Sequence, residues 1–589
     1  METQFYYTDE RNVQIVISLL KAHGIHRVIA SPGTTNMTFV ASIQNDPWFN
    51  IWSSVDERSA AYLACGMASE AGEPVVISCT GATASRNYMP GLTEAYYRKL
   101  PILAITSTRG NHKLGHLIDQ QIDRRNIPND IVMESVTIPM VNSKEDERYC
   151  EIEVNKAILA LKRNGGGPVH INLYTNYSKD FSVEFLPSVN LIFQHTIFDE
   201  LPTIDRKKRI AILVGAHHKF TSRQVHAIES FCATYDAVVF TERTSGYTGK
   251  YSVSFNIVAQ QVQYYSRLRD VGILIQIGEV VSGLLWLNAE EVWRVSEDGQ
   301  LRDTYGRLTH VFIMPEEDFF ERYSDSNFKK TSYLEECKKE IDRVTVACPE
   351  LPFGNIWIAQ KMCKKLPPNS CLHLGILNTL RSWSYVQIPA TIETNSNVGG
   401  YGIDGCMSTL IGSSLVDQNR IHIGIFGDLA FFYDMNVLGN RHIGNNVRIL
   451  LINNGIGTEF RNYNHPCCFL GEKANSFLAA AGHYGNKSDK LVRDYAEDLG
   501  FEYMVASTKE EFMLHIDRFT VAELTEAPIL FEVFTTQKDE SDALETIQNI
   551  VKKPTQVESR NTMQSEIKDV VKKIIGENRI TGLRMFIKG

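Results

Sequence analysis

The chain has 589 residues, 43% of them hydrophobic and 22% charged, and a formal net charge of −9 at pH 7. That length is too great for one hydrophobic core and suits about three or four domains, while the spread of acids along the chain argues against nucleic acid as the main partner. No apolar run approaches the roughly 20 residues that cross a bilayer, the start METQFYYTDE lacks a signal-peptide pattern, and eleven cysteines without CxxC spacing fit a reduced cytoplasm.

In chain order, a first block (residues 1–188) holds short apolar runs that end in Gly, Ser or Thr: HRVIASPG, PVVISCTG and LPILAITS. Each predicts a buried parallel strand, and ERSAAYLACGMASEAG predicts a helix whose small residues allow close packing. The middle block (189–350) repeats the alternation in RIAILVG, DAVVFTE, GILIQIG and THVFIM. Gly215 and Gly278 end strands there without a GxGxxG fingerprint, which argues against dinucleotide binding. The polar helical stretch FKKTSYLEECKKEIDRVTV and the linker CPELPFG lead to a third block (351–540), whose clearest strands are RIHIGIFGD, VRILLINN and PILFEVFT. In the last segment (541–589), SEIKDVVKKIIGENRI predicts a basic helical tail docked on the surface. Blocks one and three share one strand and helix rhythm, as two similar folds would. Adjacent Cys467 and Cys468 read as loop or core thiols rather than a metal site.

The strand IHIGIFGD delivers Asp428 to the carboxyl end of a parallel sheet, where such sheets bind ligands. A helix from about Phe431 to Gly439 and the strand VRILLINN follow, ending at Asn454. Two neighbouring strands thus aim a carboxylate and an amide oxygen at one point. That suits a hard cation such as magnesium, which prefers oxygen ligands and keeps phosphates in its shell. Gly455 and Gly457 let the backbone approach closely. Ordinary Gly-Asp and Asn-Gly turns are the alternative reading of the same dipeptides.

Gly-Asp followed some 25 residues later by Asn-Asn after an apolar strand resembles the metal and diphosphate motif of the thiamine diphosphate-dependent 2-oxo acid decarboxylase and carboligase superfamily. GIDGCMSTLIG and GDLAFFYDMN are most similar, within it, to the menaquinone-pathway synthase MenD, which joins a decarboxylated 2-oxoglutarate unit to isochorismate. The resemblance implies an α/β fold of three Rossmann-like parallel-sheet domains, a pyrimidine-binding domain (1–188), a central domain (189–350) and a diphosphate and magnesium domain (351–540), plus the helical tail (541–589). It also implies that Gly427, Asp428, Leu429, Asn454 and Ile456 bind the cofactor. Asp428, Asn454 and the Ile456 carbonyl would ligate magnesium, and Ile403 would wedge between the cofactor's two rings. Glu57, in WSSVDERSAAYLACGMA, matches the glutamate that hydrogen-bonds the aminopyrimidine and so activates the cofactor; Asp56 then reads as a local cap. Because the two cofactor-binding faces come from different subunits in this superfamily, a homodimer or homotetramer is implied.

For substrate contacts the resemblance points to Thr34, Thr35, Arg109, Gln120, Arg381 and Phe460. Thr34 and Thr35 stand where the synthase has a Ser-Arg pair, Val398 stands where a second arginine lies, and Asp119 replaces an asparagine. Losing two forked cations weakens the case for isochorismate as acceptor. The expected activity is therefore decarboxylation of a 2-oxo acid and transfer of its acyl-anion unit to another carbonyl or unsaturated acceptor. Rival readings are a simple decarboxylase releasing an aldehyde, with His112 and His116 as candidate proton carriers, an acetolactate-synthase-like enzyme with flavin in the middle domain, and a silent scaffold with the same fold.

Overall fold

The computed structural model describes residues 6–552 except 125–126, 283–284, 326–331 and 485–486; the expected tail helix lies outside the described residues. Three sheets carry the chain. The first holds β1 (Arg27–Ala30), β2 (Asn50–Ser53), β3 (Val75–Thr80), β4 (Ile102–Thr108), β5 (Glu134–Ile138) and β6 (Val169–Tyr174). The second holds β7 (Phe193–Thr196), β8 (Ile210–Val214), β9 (Val238–Thr241), β10 (Ser252–Val253), β11 (Asp270–Ile277), β12 (Asn288–Val295) and β13 (Leu308–Ile313). The third holds β14 (Cys371–Leu374), β15 (Glu393–Asn395), β16 (His422–Gly427), β17 (Val447–Asn453), β18 (Glu502–Ala506) and β19 (Ile529–Phe534).

Every expected strand is present. β12 was not expected, because Glu290, Glu291 and Arg294 interrupt its apolar run; β5, β6, β14, β15 and β18 also lie outside the apolar runs singled out above. The helix after β16 starts earlier than its pattern suggests, at Asp428 itself, running Asp428–Asp434 and then as a 3₁₀ turn over Met435–Gly439. A carboxylate in the first turn favours that start through the helix dipole.

Two compact units emerge, one up to Asp205 with Ile273–Ile275 and Ala289–Phe319, the other of Arg206–Gly272, Gln276–Asn288 and the described residues from Phe320 onward. In the first unit the sheet order is β2-β1-β3-β4-β6-β5, parallel throughout. Side chains alternate between its faces: Val76, Leu103 and Ile105 join one core with the helices Arg11–Ala22 and Lys144–Ala160. Val75, Ile77, Ile102 and Ala104 join the other with Glu57–Ala71 and Met89–Arg98. These last two helices touch through small residues. A Cβ on Gly91 would stand 2.5 Å from that of Ala61, so glycine is required for the helices to pack this closely and for Glu57 to sit where it does.

In the second unit, β10-β9-β8 pair in parallel, and the third sheet runs β15-β14-β16-β17-β19-β18, again parallel throughout. Strand for strand this is the order of the first sheet. The chain reverses its direction of travel across the sheet between β14 and β16, which opens a crevice at their carboxyl ends.

Candidate active site

At that crevice the register pairs Gly427 with Ile452, so the residues that follow them leave the sheet at one level. Asp428 is only 5% exposed. Its Oδ1 accepts from Leu429 N at 2.7 Å and its Oδ2 from Gly455 N at 2.6 Å. Gly455 has φ +72°, a left-handed conformation that glycine adopts without strain and that turns its N–H toward the carboxylate. Burial pushes the Asp428 carboxyl up to about 6, against the pull of the N–H groups of Leu429, Gly455, Ile456 and Asn454. Among the described residues it makes no ion pair, so the dominant unmet need of the site is a positive charge.

Asn454 and Ile456 follow within the same turn. Asn454 is half-buried and Ile456 buried; the Asn454 Oδ1 accepts from Ile456 N at 3.3 Å, and the Ile456 carbonyl accepts from Thr458 Oγ1 at 3.4 Å. The Asp428 carboxylate after β16 and, in the turn after β17, an amide oxygen and a main-chain carbonyl make up a hard-donor set of the kind that suits a magnesium ion sharing its shell with phosphate and water. Neighbouring Asn453, by contrast, is committed to the core, donating to Glu532 at 2.7 Å. Leu429 is half-buried, its Cδ1 lying against Gly457, where an added Cβ would be 3.3 Å away.

Ile403 is half-buried in the turn before the helix Cys406–Val416. That helix has glycine at its N-cap, so its open N–H groups are served from elsewhere: Asp434 accepts from Ser408 N at 2.6 Å and Ser408 Oγ at 2.7 Å. Asp434 ends the helix that Asp428 begins, and the cap therefore ties the Ile403 turn to the Asp428 turn. Sequence reasoning passed over it, although it lies in the same GDLAFFYDMN stretch.

Arg381 lies on the helix Asn378–Ser384 and is held by Glu459 in a fork, with both N–O distances 2.7 Å and side chains 20% and 13% exposed. Burial would lower the guanidinium's pKa, but the Glu459 carboxylate more than offsets this and raises it. Phe460 follows Glu459, half-buried and edge-on to His465. Beneath the Arg381 helix, Glu540 is fully buried; it accepts from Asn355 N at 3.1 Å, Thr535 Oγ1 at 2.9 Å and Asn378 Nδ2 at 3.4 Å. Burial pushes its carboxyl up to about 7. Neither Glu459 nor Glu540 stood out in the sequence, because their partners are far away along the chain. Val398 is buried at 4% exposure.

In the first unit, Asp56 caps the helix Glu57–Ala71 by accepting from Arg58 N at 3.2 Å and Ser59 N at 3.3 Å, as its sequence position suggests. Glu57 is left as the half-buried first-turn carboxylate, accepting from Asn87 Nδ2 at 3.3 Å. Thr34 is exposed, whereas Thr35 is buried with its hydroxyl donating to the Ser107 carbonyl at 2.7 Å. Arg109 reaches Asp119, its Nη2 3.4 Å from Oδ2. Gln120 is exposed and held at φ +55°, and His112 and His116 are exposed in the same loop.

Comparison with known proteins decides what this arrangement belongs to. Residues 11–127 match the family model described as "Thiamine pyrophosphate enzyme, N-terminal TPP binding domain". The 2-succinyl-5-enolpyruvyl-6-hydroxy-3-cyclohexene-1-carboxylate synthase of Bacteroides thetaiotaomicron is 30% identical over 561 residues, covering 91% of this chain and 98% of that protein. The chain belongs to this family of thiamine diphosphate enzymes. Synthases of the same name from Phocaeicola vulgatus (28% over 572 residues, 91% and 98% covered) and Flavobacterium psychrophilum (28% over 557 residues, 89% and 96% covered) are similar along nearly their whole length. Membership of the family also accounts for the three parallel sheets and for the shared strand order of the first and third. No helix among the described residues is long and apolar enough to cross a membrane, and all eleven cysteines are free thiols.

Proposed function

We propose that this enzyme uses thiamine diphosphate and magnesium to decarboxylate a 2-oxo acid and transfer the acyl-anion unit to a carbonyl or unsaturated acceptor other than isochorismate. The observation that carries the cofactor half is Asp428, a buried carboxylate without a counter-charge, beside the oxygens of Asn454 and Ile456. Thiamine diphosphate supplies, when bound, a carbon nucleophile that can store the electron pair left by loss of carbon dioxide. Asp428, Asn454 and the Ile456 carbonyl would hold the metal that carries its diphosphate. Gly427 and Leu429 would line its approach, and Ile403 would support its ring system. Glu57, its carboxylate oriented by Asn87, would accept a hydrogen bond from the aminopyrimidine ring and so favour proton removal there.

The segment that carries Glu57 exposes large apolar side chains as well as its polar ones: Val55 is 82% exposed, and Tyr62 and Leu63 about half. Together with the half-buried state of Glu57, this supports a homodimer or homotetramer in which a second copy covers Glu57 and completes the site.

The fork between Arg381 and Glu459 is the main support for a different acceptor. A guanidinium already paired bidentately with a carboxylate offers little net charge to a carboxylated substrate. In the first unit, Thr34 and Gln120 offer neutral polar surface while Arg109 is shared with Asp119; in the second, Phe460 adds an aromatic one, so each set of expected substrate contacts favours an acceptor with few anionic groups. A cytoplasmic location goes with such chemistry.

The test is calorimetric titration of metal-stripped protein with thiamine diphosphate and magnesium, followed by a screen of 2-oxo acids for carbon dioxide release with and without aldehyde, ketone and enoate acceptors. Magnesium-dependent binding and a coupled product are expected. Aldehyde as the sole product with every acceptor would overturn transfer in favour of simple decarboxylation, and absence of binding would overturn the cofactor assignment.

A further inference from the structure

Toward the amino ends of the third sheet's strands, the end away from Asp428, Cys371 and His373 alternate on β14 and so share one face, and the parallel register sets Cys371 beside His422 of β16. The Cys371 sulfur and one nitrogen from each imidazole all lie within 4.8 Å of one another. The three residues are buried, at 1%, 5% and 2% exposure. Their other contacts are few. Cys371 Sγ is 3.4 Å from His373 Nε2 and accepts from Asn395 Nδ2 at 3.4 Å, while His422 Nδ1 lies 3.3 Å from Ser413 Oγ. His422 Nε2 is buried and has no hydrogen-bond partner among the described residues, an unmet need inside a sheet core.

We propose that Cys371, His373 and His422 form a zinc site that clasps β14 to β16. One thiolate and two imidazoles are soft to borderline donors, the set that zinc takes and magnesium does not. Zinc bonds of about 2.3 Å to sulfur and 2.0 to 2.1 Å to nitrogen place tetrahedral ligands roughly 3.3 to 3.7 Å apart. The sulfur and His373 Nε2 already stand at that separation, and small side-chain rotations close the rest. Both imidazoles are buried, which favours the neutral form with a lone pair to donate. Ser413 accepting from Nδ1–H of His422 would fix the tautomer with Nε2 free to bind. Binding converts the Cys371 thiol to thiolate and releases its proton to solvent, and a water fills the fourth position. Nearby Arg420 is paired with Glu393 at 3.0 Å, which tempers its repulsion of the ion. His422 opens β16 and Gly427 ends it, so about 16 Å of strand separates this site from the catalytic cation; its role is to fix the sheet, not to activate substrate.

The experiment is elemental analysis of full-length protein purified without chelator, paired with cobalt substitution of the metal-stripped protein. We expect about one zinc per chain and a near-ultraviolet thiolate-to-cobalt band, both lost in Cys371→Ser but kept in Asp428→Ala. Magnesium-dependent binding of thiamine diphosphate should survive Cys371→Ser, so the two sites are judged separately. A wild-type protein that retains no zinc after reconstitution, or cobalt bound without a thiolate band, would overturn the proposal. Either result would leave a buried thiol–imidazole hydrogen-bond cluster.

Discussion

Asp428 and Glu57 both open a helix that follows a strand of a six-stranded parallel sheet, yet their surroundings are opposite. Asp428 is buried, cradled by two backbone N–H groups at 2.6 and 2.7 Å, with its donor partners one turn away. Glu57 is half-buried, accepts one hydrogen bond from an amide at 3.3 Å, and lies on a segment that exposes Val55, Tyr62 and Leu63. This contrast means that one chain would build the metal half of the proposed site by itself, whereas the activating half awaits a second surface. It can be broken first at Asp428. Asp428→Ala should abolish magnesium-dependent binding of thiamine diphosphate in the calorimeter, a loss beyond the roughly 100-fold that groups behind a metal ligand are worth. Retained tight binding would place the metal elsewhere.

Glu57→Gln should keep cofactor binding within a few-fold and lower kcat by about 10² to 10⁴, the range of a positioned acid–base group. Steady-state kinetics at saturating cofactor check this, and a change in KM alone would show that Glu57 only binds. Since its exposed neighbours are proposed to be covered, the same protein should sediment as a dimer or larger.

The burial of Asp428 carries its own pH signature. Burial pushes its carboxyl up from the ordinary carboxylate range to about 6, so its contribution to stability is fully present below pH 4 and is lost as pH rises through 6. Metal-free protein therefore bears a penalty at pH 7 of roughly 3 kcal/mol from this group. Asp428→Asn should raise the Tm of metal-free protein at pH 7 and leave it nearly unchanged at pH 4. In the wild type, stabilisation by magnesium and thiamine diphosphate should fade below about pH 6, where a proton competes with the ion. Thermal melts across pH 4 to 8 read both effects. Equal melting shifts at the two pH values would show that Asp428 is not the strained group.

What the sequence reveals follows how local the cause is. Asp428 and Asn454 are legible because each ends an apolar run, and a run that ends in a polar residue marks a strand's carboxyl end whatever else the chain does. Asp56 is legible as a cap because its partners are two and three residues on. β12 is hidden because Glu290, Glu291 and Arg294 break its pattern, although its β-branched and aromatic residues, Val292, Trp293 and Val295, are buried. Glu459 escapes notice because its meaning depends on Arg381, 78 residues away. The cluster of Cys371, His373 and His422 likewise exists only once β14 lies beside β16.

That distant pair gives the finest test of the comparison, since it concerns substrate choice rather than the cofactor. The fork is bidentate and largely screened from water, and its two charges cancel. Glu459→Gln removes the negative charge while its amide oxygen can still accept from one guanidinium N–H, so Arg381 is held in place with its charge exposed to substrate. A 2-oxo acid bearing a second carboxylate should then bind better, its KM falling about tenfold, close to 1.4 kcal/mol for one added charge-assisted contact. A monocarboxylic 2-oxo acid should change little. Some stability is lost, since a part-buried arginine loses its ion partner, and the Tm should drop by several degrees without loss of cofactor binding. If both classes of 2-oxo acid respond alike, the fork only braces the helix Asn378–Ser384; a selective gain for the dicarboxylic acid would mean that Glu459 tunes the pocket away from anionic substrates.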